Sequence, residues 1–479
     1  MNGIKNYLEA HKNEMIDLLA ELVAIPSVLG EPEEGCPFGK YPAAALNFML
    51  KKCSEYGFAV DNVENYAGSA EIPDMDCQLG ILTHLDVVPA DTEGWSSDPF
   101  TLSRSESRLT GRGTIDDKGP AVAAVFALRA VKELGIPLKK GVRLIFGTDE
   151  ENGSADLAYY RQKRALPPMI FTPDGEYPLI NGEKGMLRIY FSAPFTPEIR
   201  IDGGSVINAV PENCAYSFKN RGISGIIHGK AAHASTPEKG ENAITLFLNS
   251  FADESPILKS IQQIFQHGDV EGKAIFGDNS RNFTCVLSML KTVEKLGNTF
   301  IIRPSIPKRA KDFEQKFRMS RKTTKAYWRM VRRMTQTDGI SVRKIGTVWN
   351  RGAYIKGGVD IRFPMERTKA EISDIICSQL RSAGFEIDSC EGVEPHYTDE
   401  NSDFVRALLR VYERVSGLKG ECLTIGGGTY VHEISGGVAF GAQFPDEDCR
   451  MHSPDEFITV DNLLKNAEIM AESIVEICG

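Results

Sequence analysis

Between Leu79 and Thr172 short apolar runs alternate with a long helical stretch, and no other feature limits so strongly what this chain can fold into. Leu79 to His84 is one such run, Pro120 to Leu134 has helical spacing, Gly141 to Phe146 is again strand-like, and residues 169–172 form a further apolar segment. Strands separated by helices do not pair through tight hairpins. They return by crossovers and line up in parallel, with helices covering the sheet. A chain of 479 residues also exceeds what one hydrophobic core normally holds, so two domains are expected.

The pattern changes after Asn181-Gly182-Glu183-Lys184-Gly185. Met186 to Phe191 and Gly225 to Gly229 read as strands, with helices near Asn242 to Phe251 and from Glu366 to Gly384. After about His396 a polar stretch leads into a helix from Ser402 to Ser416 and then an apolar, glycine-rich end. The expected class is α/β. A mixed, mainly parallel sheet sandwiched by helices takes residues 1–184 and 396–479, and an inserted α+β domain takes 185–395. Residues 294–347 stand apart, because eleven Lys or Arg and only two acids lie between Lys308 and Arg333. A solvated amphipathic helix is expected there, with a basic docking surface for an anionic partner and disorder as the alternatives.

The first residues read as an amphipathic helix, with Ile16, Leu18, Leu19, Leu22 and Val23 at helical spacing rather than in the order of a secretory signal. No apolar run approaches the roughly 20 residues of a membrane span. Ten cysteines without a CxxC pair suggest buried thiols in a reducing cytoplasm. A net charge of −10 weighs against nucleic acid as a partner.

Possible metal ligands gather in four places, mostly at the ends of apolar runs. In Thr83-His84-Leu85-Asp86 the strand period turns His84 and Asp86 to one side, so a carboxylate can hold one imidazole nitrogen while the other binds a cation. In Gly111-Arg112-Gly113-Thr114-Ile115-Asp116-Asp117-Lys118-Gly119-Pro120 two carboxylates precede a helix with Pro in its first turn. Plain complementarity to the helix dipole would explain them, but not the glycines on both sides. In Asp149-Glu150-Glu151 three consecutive acids would repel one another, so burying them needs a cation. On an extended segment Glu150 and Glu151 would point apart, one towards a metal and the other towards water as a general base. Asp174 and His452 come last, each unremarkable alone. Together the set suits borderline cations such as zinc, and one bridging carboxylate would leave each of two metals with a His and a further acid. The cluster Gly426-Gly427-Gly428-Thr429 lacks the signature of a phosphate loop. Its glycines are better suited to close backbone approach to a substrate at Gly427 and Gly428.

These motifs resemble the ArgE/DapE/carboxypeptidase G metallohydrolase family: His84-Leu-Asp86-Val-Val-Pro, Gly111-Arg-Gly-Thr-Ile-Asp116-Asp-Lys-Gly, Thr148-Asp-Glu150-Glu151 and Pro173-Asp174. Asp117-Lys-Gly-Pro120, Asn181-Gly-Glu-Lys-Gly185, Gly426-Gly-Gly-Thr-Tyr430 and Met451-His452 are most similar to its dipeptidase V (PepV) branch. The resemblance covers roughly residues 10–290 and 348–479. It implies two zinc ions, with Mn2+ or Co2+ able to substitute. His84 and Asp174 would hold one, Glu151 and His452 the other, and Asp116 would bridge them. It implies further that Asp86 orients His84, that Glu150 is the general base, and that the Asp116–Asp117 bond is cis.

In the inserted domain it implies that Asn208 and His233 face the substrate and that Arg362 holds a peptide carboxylate. The expected activity is hydrolysis of dipeptides or similarly small peptides by a chain that is a monomer or a homodimer. Removal of an acyl group from N-acyl amino acids is the sister alternative. A non-catalytic, metal-dependent binding protein is the alternative of a different class. One departure stands out: Val431 and His432 occupy positions where many relatives carry a small residue and Arg.

Overall fold

The structure is a computed structural model that describes residues 2–90, 92–277, 283–296, 299–302, 351–445 and 447–479. The basic stretch from Lys308 to Arg333 therefore lies outside the described residues. The described chain forms two compact units, Met1–Lys184 with Pro395–Gly479, and Gly185–Glu394.

In the first unit the strands Gly141–Gly147, Cys77–His84, Met169–Thr172 and Val438–Ala439 pair in parallel at the centre of a nine-stranded sheet. Antiparallel neighbours flank them, Ala59–Val63 and Ala67–Glu71 on one side and Leu179–Glu183 with His396–Tyr397 on the other. The sheet is the mixed, mainly parallel one that the strand–helix alternation predicts. Register then fixes what meets at its end. His84 pairs with Gly147 and Ala439 with Thr172, so the segments that follow these strands emerge together at their carboxyl ends, where open α/β sheets place their ligands.

The helix Lys118–Glu133 is apolar on nearly every face, and thirteen of its sixteen residues are buried. A helix hydrophobic all round belongs inside, and this one packs against the C-terminal helix Val460–Cys478 in a shared core with Phe126, Leu128, Ile469 and Met470. It begins two residues before the expected Pro120, at Lys118. A Cβ on Gly119 would lie 2.1 Å from the Thr114 carbonyl oxygen, so only glycine lets the helix start against the 111–117 loop. The expected N-terminal helix is two helices, Asn2–Ala10 and Lys12–Val23.

Among the described residues the second unit is an antiparallel sheet of eight strands, from Ile223–His228 at one edge to Glu386–Val393 at the other. Its long central strands are Thr284–Leu296, Arg351–Phe363 and Gly185–Phe195. Along Gly185–Phe195 alternate residues point inward, and Leu187, Ile189 and Phe191 join a core with residues of the helices Ala243–Phe251, Pro256–Ile264 and Lys369–Ser382. Side-chain caps set two of these helix starts. Asn242 accepts from Ile244 N and Thr245 N, and Thr368 accepts from Glu371 N. Among the described residues no helix is long and apolar enough to cross a membrane.

Candidate active site

His84, Asp116, Glu150, Glu151, Asp174 and His452 come together beyond the carboxyl ends of the parallel strands, and they fall into two groups. His84, Glu150 and Asp174 form one, and Asp116, Glu151 and His452 the other; within each, one potential ligand atom per residue lies within 4.8 Å of the rest. Asp116 reaches both groups. Its Oδ1 is 2.9 Å from His84 Nε2 and its Oδ2 is 2.6 Å from His452 Nε2. His452 Nε2 is also 3.2 Å from Glu151 Oε1, and His84 Nε2 is 3.7 Å from Asp174 Oδ2.

The donor set fits two cations. His84 Nε2, Asp116 Oδ1 and Glu151 Oε1 are buried without a hydrogen-bond partner, although the first two are only 2.9 Å apart. Proximity without a directed hydrogen bond is what lone pairs aimed at a common third point produce. Left unsatisfied, such atoms cost about 1–3 kcal/mol each, more when charged. On the other side of the ring, His84 Nδ1 lies 3.0 Å from the Asp86 carbonyl oxygen. A carbonyl only accepts, so in the neutral ring Nδ1 carries the proton and Nε2 is left to present its lone pair to a cation.

Local backbone explains how the groups are aimed. The expectation of an extended segment at Glu150 and Glu151 is corrected, since Glu150–Asn152 is one turn of 3₁₀ helix. The turn still sends the two carboxylates to different groups. Asp86 fastens its start by accepting from Glu150 N and Glu151 N, both at 3.2 Å, while its carboxylate stays 3.5 Å from His84 Nδ1. His84 is therefore oriented first by the Asp86 carbonyl and only secondarily by the carboxylate. His452 has a left-handed backbone, φ 60°, and a side chain 51% exposed, so the site opens to solvent on its side. The Asp116–Asp117 bond is cis, and Asp117 Oδ2 accepts from His84 N at 3.0 Å.

Charge is balanced by protons when only protein groups are present. Burial opposes a charge on His84, yet Asp116 and Asp86 hold its pKa well above the ordinary value. His452, with burial again opposed by Asp116 and Glu151, is pushed up to about 11. Burial and the neighbouring Asp174 raise Glu150 well above the carboxylate range, and burial with Asp116 raises Asp174 to about 7. Cations must displace these protons, so their affinity rises with pH. The stabilisation they give should follow. The gain in Tm on adding zinc to chelator-treated protein is expected to grow between about pH 6 and pH 8, measured by differential scanning fluorimetry. A gain that shrinks over that interval would contradict the assignment.

In the second unit Asn208 and His233 are adjacent. The short strands Ala209–Val210 and Ala232–His233 pair with Ala209 opposite His233, and Ala234 N donates to Asn208 O at 2.9 Å. Both side chains are exposed. Ser235 N donates to His233 Nδ1 at 3.2 Å, so the neutral ring carries its proton on Nε2. Arg362 is buried and already paired: Nε and Nη2 donate to Asp360 Oδ1 and Oδ2 at 2.7 and 3.1 Å. Gly427 and Gly428 lie in the loop after the strand Cys422–Ile425 of the first unit.

Residues 80–476 match the family model described as "Peptidase family M20/M25/M40". The chain belongs to this family. It is similar along its length to a Bacillus subtilis protein named "Putative dipeptidase YtjP", with 29% identity over 97% of both chains. A Staphylococcus epidermidis protein named "Putative dipeptidase" is 30% identical over 98% of both. Among solved structures, human carnosine dipeptidase 1 covers 99% of this chain and 98% of its own at a TM-score of 0.59. At 17% identity, that likeness shows the fold alone.

Several buried groups that brace this M20 site are not evident from the motifs. Glu456 is fully buried; its Oε1 accepts from Ile115 N at 3.0 Å and Asp116 N at 3.4 Å, and its Oε2 accepts from Arg112 Nη1. It thereby holds the backbone of the residue that reaches both groups. Asp156 does the same for the acidic turn, accepting from Thr148 N, Asp149 N and the Tyr430 hydroxyl. The only signal in the sequence is that Glu456 lies four residues after His452 and that Arg112 lies in the Asp116 motif. Glu456→Gln is expected to weaken cation binding about 10–100-fold, as read by competition with a chromogenic chelator. Unchanged affinity would remove Glu456 from the account.

Proposed function

We propose that this M20 peptidase hydrolyses dipeptides with two zinc ions. The observation that carries the reading is Asp116, with one oxygen towards His84 and the other towards His452, and with Glu150 beside the first group. His84 and Asp174 would hold one ion, Glu151 and His452 the other, and Asp116 both. When bound, the ions supply Lewis acidity to the scissile carbonyl and lower the pKa of the attacking water. Glu150 takes the proton of that water and returns it to the leaving amine. Burial and the neighbouring Asp174 raise its pKa, which favours a carboxylate that takes up a proton and passes it on.

Residues of the second unit would recognise the rest of the substrate. His233, with its proton on Nε2, offers a donor to the developing oxyanion, and Asn208 lies next to it. Arg362, paired with Asp360 through Nε and Nη2, would be the cation that meets the terminal carboxylate. Gly427 and Gly428 allow the substrate backbone to approach closely. Fixing both ends of a short molecule restricts the enzyme to dipeptides, in line with the names of its full-length relatives. Ten free thiols suit a reducing compartment, and we place the protein in the cytoplasm as a monomer or homodimer.

The test is a substrate panel of dipeptides, tripeptides and N-acyl amino acids, run with zinc, manganese or cobalt and again with chelator. Dipeptides are expected to lead by at least about tenfold in kcat/KM, and chelator is expected to abolish the activity. A preference for N-acyl amino acids would replace the dipeptidase reading with the deacylase one.

A further inference from the structure

Glu183 is a buried carboxylate to which the reaction assigns no role. It ends the strand Leu179–Glu183 and collects donors from one short turn. Thr429 Oγ1 donates to Oε1 at 2.9 Å, and Thr429 N lies 3.2 and 3.3 Å from Oε1 and Oε2. His432 Nδ1 faces Oε2 at 2.7 Å. A carboxylate at this distance only accepts, so Nδ1 carries the proton. Thr429 is also the N-cap of the 3₁₀ turn Tyr430–Glu433, and His432 N donates to Thr429 O at 3.0 Å. One carboxylate thus holds both ends of the turn.

The glycine loop rests directly on this pair. A Cβ on Gly428 would lie 3.3 Å from His432 Nδ1 and 3.6 Å from Glu183 Oε2. From the same turn, the Tyr430 hydroxyl donates to Asp156, and its ring meets the His84 ring edge-on at 6.2 Å. The turn therefore connects the loop expected to meet substrate with the residues around the metal ligands.

We propose that Glu183 and His432 are positioning residues that fix the 426–429 loop at the height a short peptide's main chain requires, and so set substrate selectivity. The selectivity half rests on the dipeptidase reading; the fixing of the loop does not. His432 gives Glu183 a ring donor of fixed reach, 2.7 Å from Oε2, which holds the loop. Removing the donor leaves a buried carboxylate oxygen underpaired and frees one end of the turn.

The test compares metal-loaded parent with His432→Ala, His432→Asn, His432→Gln and Glu183→Gln. Hydrogen–deuterium exchange is followed across 426–433 alongside metal content, kcat and KM. Asn places a donor where Nδ1 stands, whereas Gln places it where Nε2 stands. His432→Ala and Glu183→Gln should speed exchange in 426–433 by about tenfold or more and raise KM for dipeptides by a similar factor, with metal content unchanged. Asn should restore most of the protection and Gln should not. Parent-like exchange in His432→Ala, or equal behaviour of Asn and Gln, would overturn the proposal. If His432→Ala unfolds as a whole, the Asn and Gln contrast still decides it. A parent inactive on every dipeptide, together with lost protection in Glu183→Gln, would defeat the dipeptidase reading and leave the positioning role standing.

Discussion

Asp116→Ala is expected to empty both cation sites at once. Asp116 is the residue whose two oxygens are divided between the groups, 2.9 Å from His84 Nε2 and 2.6 Å from His452 Nε2. Without it, His84, Glu150 and Asp174 lose their link to Glu151 and His452, and nothing negative lies between two like-charged ions. Burial works against Asp116 being charged, but the two imidazoles hold its pKa below the ordinary range, so it is ionised in every condition in which the ligands bind. Metal analysis should fall from about two ions per chain to fewer than about one, and turnover should drop to the rate of the uncatalysed reaction. Asp116→Asn, which keeps the shape but offers one good acceptor oxygen, should retain about one ion. Asp116→Ala protein that keeps both ions would show that the carboxylate does not bridge.

Glu150→Ala carries the second large effect, and it separates two roles that geometry leaves adjacent. The Glu150 carboxylate is near His84 and Asp174, so it has the reach of a ligand as well as of a base. As the base, its loss should lower kcat by about 10²–10⁴-fold while the metal content stays at about two. Glu150→Gln, which keeps the shape but accepts no proton, should fall as far. Near-normal turnover with both ions bound would remove Glu150 from the chemistry. Loss of one ion together with the activity would make it a ligand.

Much of the site is legible in the sequence because strand and turn chemistry is local. His84 and Asp174 follow apolar runs that become parallel strands, and a parallel sheet brings its carboxyl ends together whatever the loops do. Asp116 is marked by the glycines that let its loop pack against the following helix. Orientation is less legible. The period-two argument pairs the Asp86 carboxylate with His84, but the strand ends at His84 and the chain turns, so the carbonyl makes the shorter contact and the carboxylate caps the next loop. The period argument for Glu150 and Glu151 likewise does not apply, because hydrogen bonds from Asp86 stabilise a turn.

The braces were hidden for a different reason. Glu456 meets Ile115 N across 341 residues, and Glu183 meets His432 across 249. Nothing in the spacing of a single sequence registers two such distant segments. Helix starts behave in the opposite way. Thr368 with Glu371 three residues later is a capping signature, and it places the helix start at Lys369 rather than at the expected Glu366.

The most direct test is a zinc titration of chelator-stripped protein, with dipeptide hydrolysis followed at each addition. The account predicts little activity at the first equivalent and a steep rise to the maximum as the second fills, with Asp116→Ala flat throughout. Full activity at one equivalent, or hydrolysis that persists in the stripped protein, would contradict it.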